Sequence, residues 1–356
     1  MPPVSVYVIA DDGVISRHLS QTLATARDLS VDGQFASGID AVTAYRRHHV
    51  DVILLDIGMI GGDPLTTIKR LIRVDPHTKI IMISTLTFKN VRLSMKGFER
   101  GAAEFLQTPS EVIGKLSVPQ FQTDLLHLIR SLARARQLDS PRSIQTTPRP
   151  AKPPTTDIQL RPVSRERPAI LAIGSSTGGP QALLTVLGEL PDYFPMPIVI
   201  TQHMPKTFTG VLASTLKKRT GKEAVEGQTG MVLQKNHIYV APGDHHMKIT
   251  GSPAQAVISL NQDPAINFCR PSVDPMVESI VNLHGPRTLL VILTGMGSDG
   301  KGGAAAVVKA GGTVLAQDFE TSVVWGMPGA VAAAGYCSHI LPVDRIGMEI
   351  VKLCRI

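Results

Sequence analysis

Aromatic side chains and long apolar runs are scarce in this sequence, and each scarcity argues against a class of function. Aromatic residues make up 4% of the 356 residues, too few for the stacking platforms that bind single-stranded nucleic acid. No apolar run approaches the roughly 18 residues that a membrane-spanning helix needs. The N-terminal segment MPPVSVYVIADD lacks the basic start and the cleavage site of a signal peptide. We therefore expect a cytoplasmic protein with no direct membrane insertion.

Cysteine is also rare. The three cysteines, Cys269, Cys337 and Cys354, lie far apart and form neither a Cys-x-x-Cys pair nor a zinc-ligand spacing. An odd number of cysteines argues against a disulfide framework and fits a reducing compartment. Each cysteine is expected to be a small buried thiol.

The positive charge is concentrated in one segment. The formal net charge is +7, and residues 134–168 carry eight basic side chains against three acidic ones, which accounts for +5 of it. This segment is rich in Pro, Thr and Arg and has no apolar period, so it predicts a solvated linker and no nucleic-acid partner. Weak contact with anionic partners is the alternative. The predicted organisation is a domain over residues 1–133, a linker over 134–167 and a second domain over 168–356.

Short apolar strands alternate with helical patterns on both sides of this linker. VSVYVIA, VDVILLD and KIIMIS precede it, and PAILAIG, PIVIT and RTLLVILTG follow it. Between the first two, Ile15, Leu19 and Leu23 recur at the spacing of one helix face. This alternation predicts an α/β fold with two doubly wound parallel-sheet domains. Ligands of such sheets bind at the carboxyl ends of the strands.

Carboxylates and a hydroxyl follow the strands of the first domain. Asp11 and Asp12 come after the first strand, Asp56 ends VDVILLD, and Ser84 ends KIIMIS. Because the carboxyl ends of parallel strands meet at one edge, we expect these side chains to lie close together. Three carboxylates form an oxygen site suited to Mg²⁺.

This arrangement resembles the receiver domain of bacterial response regulators over about residues 4–122. The resemblance implies a flavodoxin-like fold in which an aspartate accepts a phosphoryl group beside Mg²⁺ and a hydroxyl and an aromatic residue respond to it. The roles it implies are the phosphoacceptor Asp56, the Mg²⁺ ligands Asp12, Asp56 and the carbonyl of Gly58, Asp11 acting mainly through water, and the switch residues Ser84 and Phe105.

The sequence departs from the receiver pattern at Thr108, at Ile60, where the family has proline, and at Pro64, where it has glycine. The family usually has a lysine before the proline that follows the fifth strand, and here Thr108 precedes Pro109. A lysine would pair with phosphate oxygens and couple phosphorylation to a loop shift. A degenerate receiver that only docks partners or inhibits is therefore the alternative. Nearby, Asp63 before Pro64 predicts the N-cap of a helix.

In the second domain, a glycine-rich turn lies between a strand and a helix. Gly174-Ser175-Ser176-Thr177-Gly178 is a Gly-x-Ser-x-Gly motif centred on Ser176, which presents its hydroxyl at a helix N-terminus. Ser175 lacks glycines at these offsets. A structural turn and a phosphate-binding loop are the alternatives. A dinucleotide is disfavoured, since no Gly-x-Gly-x-x-Gly and no acidic residue at the next strand end accompany the turn.

A base and an orienting acid follow two further strands. A nucleophilic serine needs a histidine to take its proton and an acid to hold that histidine. His203 follows PIVIT, and Asp299 follows the strand in RTLLVILTG. The chain order Ser, His, Asp differs from the Ser, Asp, His order of α/β-hydrolases. The three residues predict a Ser-His-Asp triad on a different fold.

Five motifs in the second domain match one family in the same order. This domain is similar to the chemotaxis protein-glutamate methylesterase, which is also a glutamine deamidase, over about residues 168–352. The matching motifs are Ile173-Gly174-Ser175-Ser176-Thr177-Gly178-Gly179-Pro180, Thr201-Gln202-His203-Met204-Pro205, Ala241-Pro242-Gly243-Asp244, Arg270-Pro271-Ser272-Val273-Asp274 and Ile292-Leu293-Thr294-Gly295-Met296-Gly297-Ser298-Asp299-Gly300.

This second resemblance implies a seven-stranded, mostly parallel sheet. It implies the nucleophile Ser176, the base His203, the orienting acid Asp299 and an oxyanion hole that includes the backbone N–H of Met296. The implied substrates are methylated or amidated glutamyl side chains of methyl-accepting chemoreceptors, and the implied phosphoryl donor is a chemotaxis histidine kinase. No cofactor is expected for catalysis, and Mg²⁺ belongs to the receiver domain. The unphosphorylated receiver of this family covers the esterase cleft.

Overall fold

The computed structural model of the protein describes residues 3–109, 118–139 and 158–355. The chain divides into two compact units, Met1–Pro153 and Pro154–Ile356. Within the described residues, no helix combines the length and the apolar character needed to cross a bilayer.

The first unit is a parallel sheet flanked by helices. Its strands lie in the order β2-β1-β3-β4-β5, and every neighbouring pair is parallel. β3 and β4 are buried along their whole length, as strands covered on both faces are. The order reverses between β1 and β3, so the crevice for a ligand lies at their carboxyl ends. In chain order the elements are β1 (Val4–Ile9), α1 (Gly13–Ala24), β2 (Leu29–Phe35), α2 (Gly38–Arg47), β3 (Val52–Asp56), α3 (Pro64–Val74), β4 (Lys79–Ser84), α4 (Phe88–Glu99), β5 (Glu104–Gln107) and α5 (Val118–Asp139).

Two helix ends of this unit bear on the sequence predictions. Asp63 is the N-cap of α3, where its Oδ1 accepts a hydrogen bond from the N–H of Leu65 at 3.0 Å, which confirms the predicted cap. α5 continues to Asp139, so residues 134–139 are helical although their composition suggests linker. Arg136 explains this extension, because it is buried and pairs with Asp75 at 2.7 Å. Residues 140–157 of the predicted linker lie outside the described residues.

The second unit contains a seven-stranded parallel sheet and an antiparallel hairpin. The strand order is β14-β13-β12-β6-β7-β9-β8, and β10 pairs with β11 in the hairpin. The parallel sheets with alternating helices in both units confirm the predicted fold class. In chain order the elements are β6 (Ile170–Ser175), α6 (Gly179–Gly188), β7 (Ile198–Gln202), α7 (Lys206–Thr220), β8 (Glu223–Glu226), β9 (His237–Val240), β10 (His246–Ser252), β11 (Gln255–Asn261), α8 (Val273–His284), a short 3-10 helix (Gly285–Arg287), β12 (Thr288–Ile292), α9 (Lys301–Lys309), β13 (Thr313–Gln317), α10 (Met327–Ala333), β14 (His339–Leu341) and α11 (Val343–Leu353).

The centre of this sheet fixes the position of the site. β6, β7 and β12 are fully buried, and the strand order reverses between β6 and β12. Loops that leave these three strands therefore meet at a switch point, where ligands of open parallel sheets bind. α8 is anchored beside them by an apolar face at helical spacing, formed by the buried residues Val273, Met276, Val277 and Ile280.

Candidate functional site

Two adjacent serines at the end of β6 have different surroundings. Ser175 is fully buried, and its hydroxyl donates to Oε1 of Gln202 at 2.6 Å. Ser176 is half-buried and is held by its backbone, whose N–H donates to the carbonyl of Thr294 at 3.0 Å. Its carbonyl accepts from Nε2 of Gln202 at 2.9 Å. The side chain of Ser175 therefore has a structural role, whereas Ser176 lies at the edge of the sheet, where β6 ends.

A glycine loop from the end of β12 passes directly beside Ser176. A Cβ atom on Gly295 would lie 2.8 Å from Cβ of Ser176 and 2.4 Å from Sδ of Met327, so only glycine fits there. Gly297 has a φ of +84°, which continues the tight loop through Met296. The backbone around Met296 therefore lies next to the serine, where donors to a developing oxyanion are needed.

His203 and Asp299 form a close pair at this edge. Nε2 of His203 lies 2.8 Å from Oδ2 of Asp299, and their side chains are 12% and 2% exposed. The other ring nitrogen, Nδ1, lies 3.4 Å from Sγ of Cys269. Among the described residues, Ser176 forms no hydrogen bond to His203. The structure thus joins two of the three predicted triad residues directly and places the third on the neighbouring strand end.

Asp299 is held at the N-terminus of α8. Its Oδ2 accepts from the N–H of Val273 at 2.7 Å, and its Oδ1 accepts from the hydroxyl of Ser272 at 2.7 Å and from the amide of Asn267 at 3.2 Å. The N–H of Gly300 donates to the same Oδ1 at 3.0 Å. Backbone donors and the positive end of the helix dipole both stabilise a carboxylate. These contacts fix the charge and the orientation of Asp299.

The pKa values of the pair move apart. Burial alone would raise the pKa of Asp299, but the hydrogen bond and charge of His203, with the donors of Val273 and Ser272, lower it to about 2. Burial alone would lower the pKa of His203, but its contacts with Asp299 and Cys269 raise it to about 9. Asp299 is therefore ionised at neutral pH, and the ring of His203 is mostly protonated there, so only its neutral fraction can accept a proton.

Several residues of this site carry no role in the sequence predictions. Gln202 and Ser272 lie inside two of the quoted motifs, next to His203 and Val273, so their place in a motif is the feature of the sequence that could have identified them. Cys269 and Asn267 had no such signal, because they reach His203 and Asp299 through a turn between distant segments.

Asp56 in the first unit is buried at the end of β3. Its side chain accepts from the N–H of Gly58 at 2.7 Å. Burial raises its pKa, and the nearby charges of Asp11 and Asp12 raise it further against the effect of the Gly58 N–H. Uncompensated negative charge of this kind suits a divalent cation. Within the described ranges, however, no three carboxylate, histidine or cysteine side chains are gathered as a metal site.

The carboxylate of Asp11 is held by the loop that follows β3. Its Oδ2 accepts from the N–H groups of Ile60 at 2.5 Å and Gly61 at 2.6 Å. The Asp12 residue is exposed on the same edge. The metal-binding roles implied for Asp11 and Asp12 stay predictions.

The two predicted switch residues lie on adjacent strands. Ser84 is buried at the end of β4, where its Oγ accepts from Nδ2 of Asn90 at 2.6 Å. Phe105 lies in β5 opposite Met82 and is half-buried. The hydrogen bond from Asn90 links Ser84 to the first turn of α4. Asn90 has no role in the sequence predictions.

Thr108, at the position of the missing lysine, is a buried polar residue. Among the described residues, its hydroxyl finds no hydrogen-bond partner. It borders a cavity of about 210 Å³ that is also lined by Asp12, His18, Thr85 and Phe121. Thr108 therefore combines a hydroxyl that is unpaired among the described residues with a cavity that Asp12 also lines.

Known proteins resemble both units. Residues 171–350 match the family model for the CheB methylesterase, and residues 6–113 match that for the response regulator receiver domain. A protein-glutamate methylesterase/protein-glutamine glutaminase 1 of Paramagnetospirillum magneticum is 42% identical over 98% of this chain and 96% of its own. A protein-glutamate methylesterase/protein-glutamine glutaminase of Azospirillum brasilense is 43% identical over 98% of this chain and 92% of its own.

A solved structure is also similar. The crystal structure of the Thermotoga maritima CheB methylesterase catalytic domain superposes with a TM-score of 0.51 and 39% identity, and it covers 53% of this chain and 100% of its own. Together with the family models and the relatives of nearly equal length, this likeness confirms the resemblance found in the motifs: the chain belongs to the CheB methylesterase family and carries a response regulator receiver domain.

Proposed function

We propose that the protein hydrolyses methyl esters of glutamyl side chains, and deamidates glutaminyl side chains, on methyl-accepting chemoreceptors. The observation that carries this proposal is the buried pair of His203 and Asp299 beside the half-buried Ser176. A base held by an ionised acid next to an accessible hydroxyl is the arrangement that acyl transfer requires. The names of the two relatives support the substrate class.

The acyl step begins with a proton transfer. Because Nε2 of His203 is engaged by Asp299, Nδ1 takes the proton from Oγ of Ser176. Oγ then attacks the γ-carbonyl of the substrate, and protonated His203 gives its proton to the leaving oxygen of an ester or to the leaving nitrogen of an amide. Methanol departs from an ester, or ammonia from an amide, and a glutamyl–serine ester remains. Water activated by His203 releases the glutamate.

The negative charge that develops on the carbonyl oxygen needs donors. The backbone N–H of Met296 is proposed as one of them, because the adjacent Gly295 lies in contact with Ser176. One donor of this kind typically contributes about 2.7–4 kcal/mol to transition-state stabilisation.

The receiver domain regulates this activity in our proposal. Asp56 is the phosphoacceptor for a chemotaxis histidine kinase, with Ser84 and Phe105 responding to the phosphoryl group. Asp12, Asp56 and the carbonyl of Gly58 would hold Mg²⁺, with Asp11 contributing through water. When bound, the cation would neutralise the carboxylates that raise the pKa of Asp56. We place this domain at residues 1–133 and the catalytic domain at 168–356.

Methanol release tests both parts of the proposal. Membranes carrying methyl-labelled chemoreceptors are incubated with the wild-type protein, with and without acetyl phosphate and Mg²⁺, and Asp56→Asn is the matched control. We expect release that rises with the phosphoryl donor in the wild type and does not rise in the variant. No release from the wild type under either condition would overturn the assignment of the activity.

A second candidate is a regulatory binding module whose receiver is not switched by phosphorylation. The specific observation in its favour is Thr108, which stands where receivers usually carry a lysine and borders a cavity. Release that is substantial and independent of acetyl phosphate would select an active esterase with an uncoupled receiver.

A further inference from the structure

The base nitrogen of His203 has a partner that the reaction scheme does not use. Sγ of Cys269 lies 3.4 Å from Nδ1, within the range of a sulfur hydrogen bond. Cys269 is half-buried, unlike Cys337 and Cys354, which are fully buried. Its thiol therefore contacts the ring at the one nitrogen that Asp299 leaves open.

The two ring nitrogens of His203 have different partners, and the contact with Cys269 is at the nitrogen that must accept a proton. Nε2 donates to the carboxylate of Asp299, so the neutral ring carries its lone pair on Nδ1. The thiol of Cys269 donates to that lone pair, and when the ring is protonated the Nδ1–H donates to the sulfur. In either state Cys269 occupies the nitrogen that must receive the proton of Ser176.

The position of Cys269 is fixed by a tight turn. Ile266 and Cys269 exchange two backbone hydrogen bonds, at 3.1 and 2.9 Å. The two residues between them, Asn267 and Phe268, have φ values of +52° and +63°, in the left-handed region that residues other than glycine rarely adopt. Asn267 also donates to Oδ2 of Asp274 at 3.1 Å, so the turn is anchored to α8.

We propose that Cys269 is a positioning residue, which holds the imidazole of His203 by its base nitrogen between turnovers and must be displaced by the hydroxyl of Ser176 before attack. This inference rests on the proposed function. It makes the resting enzyme pre-oriented but restrained, because the ring has a partner at each nitrogen and the partner at Nδ1 competes with the nucleophile.

The groups around His203 set its pKa, so the proposal predicts the direction in which that pKa changes when Cys269 is removed. The titratable groups that face the ring are Asp299, from the loop after β12, and Cys269, from the turn before α8. Asp274, in the first turn of α8, lies close enough for Asp299 to raise its pKa. The contact with Cys269 raises the pKa of His203, so removing the sulfur should make the base neutral at a lower pH.

The pH dependence of methanol release in Cys269→Ala tests this role. We expect the acid limb of kcat/KM to move down by about one pH unit, which raises kcat/KM at pH 7 by roughly three- to tenfold with an unchanged KM. Cys269→Ser keeps a polar partner for Nδ1 and should move the limb less than the alanine does. Cys354→Ala removes a buried thiol elsewhere in the unit and should leave the profile unchanged.

Titration of the His203 ring by NMR separates this inference from the proposed activity. The ring should titrate about one pH unit lower in Cys269→Ala than in the wild type, whether or not the substrate is correct. Wild-type titration and a wild-type pH profile in the alanine variant would overturn the proposal. Absence of methanol release from the wild type, with the NMR shift present, would overturn the activity alone.

Discussion

At the scale of single residues, the two neighbouring serines of β6 offer a matched comparison. Ser176→Ala removes the proposed nucleophile, so we expect methanol release to fall by at least about 1000-fold. The far-UV circular dichroism and the free energy of unfolding should be unchanged, because the backbone contacts of Ser176 remain. Retained release would exclude Ser176 as the nucleophile.

Ser175→Ala is the control. We expect it to lower the stability of the protein and to leave most of the methanol release intact. It removes the buried hydrogen bond to Gln202, which costs about 1–2 kcal/mol of unfolding free energy in a chemical denaturation experiment. Methanol release per folded molecule should stay within about tenfold of the wild type, since a loss of this size is ordinary for a change beside a site. Equal losses of activity in both variants would contradict the assignment of different roles.

His203 should link stability to pH. Its pKa in the folded protein is raised to about 9 against an ordinary value of 6.5, so its stabilising effect is full below pH 6.5 and is lost as the pH rises through 9. The unfolding free energy of the wild type should therefore fall relative to His203→Gln across this window, by up to about 3 kcal/mol. Urea denaturation of both proteins between pH 6 and 9.5 measures the difference. A pH-independent difference would show that the pair with Asp299 is weaker than its geometry implies.

At the scale of secondary structure elements, the N-terminus of α8 positions Asp299, the proposed orienting acid. Ser272→Ala removes the donor at 2.7 Å from Oδ1 of Asp299. A hydrogen bond to a charged group is worth about 1.5–3 kcal/mol, so we expect this loss in stability and a fall of about tenfold in kcat with little change in KM. Steady-state kinetics and denaturation of the same preparation check both.

Ser279→Ala is the matched control on the same helix. Its hydroxyl accepts from the N–H of Ile249 at 2.8 Å and does not contact Asp299. A similar loss of stability with wild-type kcat is expected. If both variants lose kcat equally, the effect of Ser272 is only structural.

The loop after β5 gives the receiver unit a prediction of its own. The hydroxyl of Thr108 is buried and, among the described residues, unpaired. Thr108→Val keeps the shape and removes the unpaired group, so the free energy of unfolding should rise by about 1 kcal/mol. Thr108→Lys should instead increase the stimulation of methanol release by acetyl phosphate, because its ammonium can pair with phosphate oxygens. Destabilisation by valine would show that the hydroxyl has a partner such as water.

The elements show which features a sequence can predict. Apolar runs end at polar residues, so the strand ends at Asp56 and beside Ser176, and the loop after β12 that carries Asp299, could be placed in advance. The end of α5 could not, because the buried pair of Arg136 and Asp75 joins residues far apart in the chain. The contact of Cys269 with His203 could not be predicted either. It joins residues far apart in the chain, and it also depends on the backbone conformation of a four-residue turn.

At the scale of the whole molecule, the two units have separate sheets and separate apolar cores. The switch points of the two sheets explain why one chain can carry two chemistries, since each gathers the polar ends of its own central strands. Family membership and the α/β fold followed from motifs and periodicity.

Removal of the first unit tests how the receiver affects the esterase. We expect a protein that lacks residues 1–150 to release methanol faster than the unphosphorylated full-length chain, because the family resemblance implies that the unphosphorylated receiver restrains the esterase. If the site is accessible in about one tenth of full-length molecules, the increase is at most about tenfold. Acetyl phosphate should stimulate the full-length protein and leave the truncated protein unchanged, and Ser176→Ala should abolish release from both. A truncated protein that folds, as judged by its circular dichroism, but is no faster than the full-length chain would show that the receiver does not restrain the esterase. That outcome would also explain why position 108 is not a lysine. A receiver that does not inhibit the esterase does not need a lysine to couple phosphorylation to the relief of inhibition.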